Sequence, residues 1–74
     1  MSFVLRFVGT GNPMPFVHFG DRIAAARAAQ AAVRGGEVKR AEVYSIPIET
    51  DGKAIDAVMR GLGELVEVRH APET

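Results

Sequence analysis

Phe3, Leu5 and Phe7 alternate with Val4, Arg6 and Val8 over residues 2–8. That is the period of two a strand imposes, because successive side chains leave the backbone on opposite sides. Gly9-Thr10-Gly11-Asn12-Pro13-Met14-Pro15 follows, a run of turn formers between two apolar stretches, and it reads as the long loop of a hairpin. Residues 16–20 predict the returning strand, with Val17 and Phe19 on one side and Phe16 and His18 on the other.

The period then changes from 2 to 3.6. Asp21 is placed to cap a helix, since its carboxylate can accept from an otherwise unpaired first-turn amide. The helix is expected over residues 22–34, ending at Gly35-Gly36, with Ala25, Ala28, Ala29 and Ala32 on one face and Val33 at its margin. Residues 39–48 return to alternation, sorting Ala41, Val43 and Ser45 from Arg40, Glu42, Tyr44 and Ile46, with Pro47 marking the end. A second helix is expected from Thr50 or Asp51 to about Leu62, with Ile55, Val58, Met59 and Leu62 as its core stripe and Asp56 paired with Arg60 outside. Residues 64–70 form the last strand, with Val66 and Val68 opposed to Leu65, Glu67 and Arg69, and 71–74 are a tail.

The order is ββαβαβ. Strands buried between two helical layers read as continuous apolar runs, whereas the third and fourth here mix charge with apolar residues. The expected fold is therefore an α+β two-layer sandwich: a four-stranded, mostly antiparallel or mixed sheet with both helices on one face. The second choice is a three-layer sheet with a helix on each side. Periodicity does not set strand order.

With 74 residues the chain makes a single small domain, residues 1–74, too short for two cores. Cysteine is absent, which excludes disulfides and thiolate metal sites. With no positive-then-apolar leader at Met1, that composition points to a reducing, cytoplasmic setting. No apolar run approaches the roughly 20 residues that span a bilayer, so no membrane partner is expected. Nine basic residues balance nine acidic ones, leaving no net field to attract nucleic acid. The abundance of Ala, Gly and Arg fits a GC-rich, bacterial genome and bears on no function.

If both helices cover one face, the other displays Val4, Arg6, Val8, Phe16, His18, Arg40, Glu42, Tyr44, Leu65, Glu67 and Arg69. Aromatic and aliphatic residues interleaved with arginine are typical of partner interfaces. The expected function is thus a non-enzymatic binding or assembly module that forms a homodimer, or docks on another protein, through its open sheet face. Phe16, His18, Tyr44, Arg40 and Arg69 are the candidate contact residues, the aromatics as anchors and the arginines as partners for Glu42 and Glu67 of the other molecule. The bland reading is that Val4, Val8 and Leu65 are scattered surface residues or lie beneath a loop.

Chemistry has little to hold to. Gly9-Thr10-Gly11 resembles the start of a phosphate loop, but such loops lead into a helix and a strand follows here. Thr10, Asn12 and His18 leave a small-ligand site at the loop over residues 9–15 as an alternative. His18 and His70 are the only side chains that titrate near neutrality unperturbed, and a site joining them to Glu42 or Glu67 has no supporting local spacing. Ser2 and Ser45 have no histidine near them in sequence. No cofactor, catalytic residue or metal ligand is assigned. Single-stranded nucleic acid stacking on Phe16 and Tyr44 among Arg6, Arg40 and Arg69, with Arg22, Arg27 and Arg34 along one helix, is the other alternative; the glutamates and the zero net charge count against it.

Overall fold

The computed structural model describes residues 1–9, 15–36 and 38–71. In chain order the elements are β1 (Ser2–Val8), β2 (Phe16–Phe19), α1 (Arg22–Arg34), β3 (Arg40–Ile46), α2 (Asp51–Met59) and β4 (Glu64–His70). The strands form one antiparallel sheet in the order β2-β1-β3-β4. The α+β class, the four strands and two helices, and their ββαβαβ order are as the sequence predicts. Because β1 runs antiparallel to both neighbours, β2 and β3 are parallel, and α1 carries the chain across β1 between them.

α1 starts where the Asp21 carboxylate accepts from the Ala24 amide at 3.0 Å. Ala25, Ala29 and Val33 are buried against Leu5, Ala41, Val43 and Val38, with Phe3, Phe7, Phe19 and Val66 packed around them. The alanines let the helix axis lie close to the sheet, and the phenylalanines of β1 and β2 supply the apolar area that alanine lacks.

The placement of α2 corrects the two-layer expectation. Val4, Ile46, Ala54, Ala57 and Val58 form a second buried cluster, joined by Phe16, Tyr44, Ile48 and Ile55. Val4 and Leu5 are consecutive strand residues and both are 0% exposed, so each points into a different core. α1 and α2 make no contact with each other. The helices lie on opposite faces, and the architecture is three-layered. α2 packs against β1, β2 and β3 but not β4, so it covers only part of its face. Arg40 and Glu42 of β3 coexist with two helical layers because this second layer is incomplete.

The buried stripe of α2 also differs from the expected one. Ala54, Ala57 and Val58 face the sheet and Ile55 is half-buried, while Met59 and Leu62 stand exposed. Small residues again admit the closer helix–sheet approach. α2 stops at Met59, three residues short of the expected end. Gly61 takes φ 86°, the Leu62 amide bonds back to the Ala57 carbonyl at 2.9 Å, and the Gly61 amide bonds to Val58 at 3.0 Å. This cap needs a left-handed residue at Gly61, which glycine alone adopts without steric cost.

One irregularity reorients half of β4. Val43 pairs with Glu67 but Tyr44 pairs with Leu65, so Val66 is an extra residue in a β-bulge. Downstream of it the side-chain parity is reversed. Val68 and His70 lie opposite Glu42 and Arg40 on the α2 face, whereas Glu67 and Arg69 lie opposite Val43 and Ala41 on the α1 face.

Burial on both faces of β1 sets the first expectation. Leu5→Ala should cost about 2–5 kcal/mol and Val4→Ala about 1.5 kcal/mol or more in urea unfolding. A negligible cost for Val4→Ala would contradict a core on the α2 side.

Candidate functional site

The part of the α2 face that α2 leaves uncovered is built from the middle of the sheet. Arg6 and Glu42 are direct cross-strand partners, and Arg40, Glu42 and Tyr44 alternate along β3 on the same face. Glu42 is only 8% exposed. Its Oε1 accepts from the Tyr44 hydroxyl at 3.0 Å and lies 3.5 Å from Arg6 Nη1, while its Oε2 lies 3.3 Å from Arg40 Nε. Two cations and a phenol thus converge on one carboxylate, which offsets the cost of burying it. Both arginine side chains remain partly in solvent, so the network presents a positive rim around a buried anion. Val68 and Leu65, across from Glu42 and Tyr44, complete the surface.

Exposed apolar residues lead from α2 into β4 and reach this network at Leu65. Met59, Leu62 and Leu65 are 58%, 57% and 47% exposed, within seven residues where α2 hands over to β4. Leu65 is the direct β4 partner of Tyr44 on the α2 face. The helical spacing predicts Met59 and Leu62 in the core, and the structure leaves both exposed. The signal for the other assignment was present, since Ala54, Ala57 and Val58 have the same helical spacing.

The five expected contact residues do not form one surface. Arg40 and Tyr44 lie on the uncovered region. Phe16 packs in the α2 core, so replacing it with a charge would damage the fold before it tested an interface. His18 is half-buried on edge strand β2, opposite Val4. Arg69 is carried by the bulge to the α1 face, where its Nη2 lies 2.7 Å from Glu67 Oε2. His18 and His70 occupy opposite edges of the sheet, separated by about 14 Å across three strand spacings and further offset along the strands, since one is level with Val4 and the other with Val8, so no site joins them. Among the described residues no three His, Cys, Asp or Glu side chains are grouped to hold a metal ion. The expected ligand contacts of Thr10 and Asn12 fall outside the described residues.

Near His18, the Glu49 carboxylate accepts from the Met1 amino group at 2.6 Å. That hydrogen bond, and then the attraction of the ammonium charge, hold the Glu49 carboxyl below its ordinary range, with a smaller contribution from His18. A carboxylate lowered in the folded state contributes stability above its unfolded titration range and loses it as pH falls through the lowered value. Glu49 is exposed, so salt screens the effect.

Glu42 is the group on which this surface depends. Glu42→Ala should cost about 1–3 kcal/mol, because it leaves the Tyr44 hydroxyl without its acceptor and two arginines facing each other. Glu42→Gln keeps an acceptor for Tyr44 and should cost less; equal losses in urea unfolding would show that the charge alone matters.

Among the described residues no helix is long and apolar enough to cross a membrane. Comparison with known proteins adds no relative: no family model, no curated protein and no solved structure matches the chain.

Proposed function

We propose that the chain is a non-enzymatic assembly module that pairs with a second copy of itself through the uncovered part of the α2 face. The observation that carries this reading is the exposure of Leu65 opposite Tyr44 on the face that holds the Arg6–Glu42–Arg40 network, with Met59 and Leu62 also exposed in the segment leading into it. Exposed large apolar side chains on an incompletely covered sheet face lose unfavourable contact with water when a partner covers them. A dry centre of leucines and methionine bordered by arginines has the composition of an interface core with its polar rim.

A second copy is the occupant favoured by charge. The net charge is zero, so two copies approach without long-range repulsion. A two-fold arrangement places the same patch on both sides and closes the assembly at two chains. The polar groups of the face support binding over catalysis, because the Glu42 carboxylate is already engaged by Tyr44, Arg6 and Arg40. The absence of cysteine is consistent with work in a reducing cytoplasm.

Light scattering coupled to size exclusion, run over a dilution series, should return twice the chain mass of 7.9 kDa. Leu62→Asp and Leu65→Asp change exposed side chains, so each should give the single-chain mass with an unchanged far-ultraviolet circular dichroism spectrum. A wild-type protein that is monomeric throughout, or a dimer that survives both substitutions, would remove this reading.

A further inference from the structure

On the opposite face, α1 and β4 border an open groove of about 330 Å³, lined by Arg22, Ile23, Ala26, Arg27, Glu67 and Arg69 among others. We propose that this groove takes an extended acidic peptide, which adds to β4 as a fifth strand. The inference is independent of self-association, which uses the other face.

Three observations point to that occupant. The first is the backbone. β4 is an edge of the sheet, and the Ala71 amide bonds to the Lys39 carbonyl at 2.9 Å. By the alternation of an antiparallel ladder, Arg69 and Glu67 also turn their backbone groups toward β3, and Val68 and His70 turn theirs outward. These outward groups are what an added strand hydrogen-bonds to.

The second is the charge. Three arginines and one glutamate give the lining a net +2 in a chain of net charge zero. Glu67 is already paired with Arg22 at 3.3 Å and Arg69 at 2.7 Å, and Arg27 has no ion pair among the described residues. Beside these cations Ile23 is 63% exposed, so the groove also offers an apolar seat.

The third is the way the edge is closed at rest. Arg22 Nη2 donates to the Val66 carbonyl at 3.3 Å and Arg69 Nη1 donates to the Val68 carbonyl at 3.2 Å. A guanidinium on the outward Val68 carbonyl obstructs indiscriminate strand pairing. A carboxylate is a stronger acceptor for guanidinium than a neutral carbonyl. A peptide that brings carboxylates therefore draws the arginines off the carbonyls and frees the edge for its own amides. On such a strand the alternate acidic side chains face α1, where their carboxylates meet the arginines and their methylene stems pack on Ile23.

The test is fluorescence anisotropy with a labelled octapeptide of alternating glutamate and valine, added to the full chain. Binding is expected, with slowed hydrogen exchange at the Val68 and His70 amides. Arg69→Gln and Ile23→Ser, both at partly exposed side chains, should each weaken binding, the former about tenfold or more. The Leu65→Asp variant should bind as the wild type does, which separates this inference from the dimer. A lysine-for-glutamate peptide should not bind, nor should one whose valines are replaced by proline, which keeps the charge but removes amide donors. The inference is overturned if the proline peptide binds equally, if Val68 and His70 gain no protection, or if an octathymidylate displaces the peptide and binds more tightly.

Discussion

The burial of β1 on both faces is the constraint from which the rest of this structure follows. Val4 and Leu5 point in opposite directions from adjacent positions, and neither touches solvent. A strand in that state must be central and must have cover above and below. β2 and β3 flank it, α1 lies over Leu5, and α2 lies over Val4. In a chain of 74 residues a single core is thin. Sharing β1 between two cores lets one strand's side chains anchor both helices.

The two cores are unequal, and the inequality leaves part of one sheet face uncovered. α1 extends over all four strands, whereas α2 has 9 residues and reaches three. Its shortness follows from the glycine cap at Gly61, and what it cannot cover is the region holding Arg6, Arg40, Glu42, Val68 and Leu65. The same cap turns the chain through the exposed Leu62 into β4, which carries Leu65 in that region. The apolar exposure at this end of the molecule is thus a direct result of where a helix stops.

The bulge at Val66 has the complementary effect on the other face. One extra residue sends Glu67 and Arg69 toward α1, beside Arg22, where they form a polar cluster against an edge strand. With regular pairing, both would have stood on the α2 face next to Arg40 and Glu42. The bulge therefore separates two groups of charges that the sequence interleaves, leaving one beside the uncovered sheet and the other beside the α1 groove.

Much of this was legible in the residues themselves. The strand over 2–8, the capping Asp21, the alanine face of α1 and the sorting of β3 all follow from local periodicity, because a period of 2 or 3.6 is imposed by the backbone and is visible within a few residues. The α+β class and the order of elements follow from the same information. The face chosen by α2, the strand order and the inversion within β4 do not. Alternation defines two faces but is silent on which a helix covers, since a linker such as residues 47–50 can lead to either. The outcome depended on Val4, Phe16, Tyr44 and Ile46 offering a second apolar floor, which exists only once β2, β1 and β3 are side by side. A bulge leaves no mark in the pattern of a strand, because it is defined by the partner it pairs with. The local chemistry of the backbone therefore wrote the elements into the sequence, while contacts between residues distant along the chain decided which side chains would be left on the surface to act.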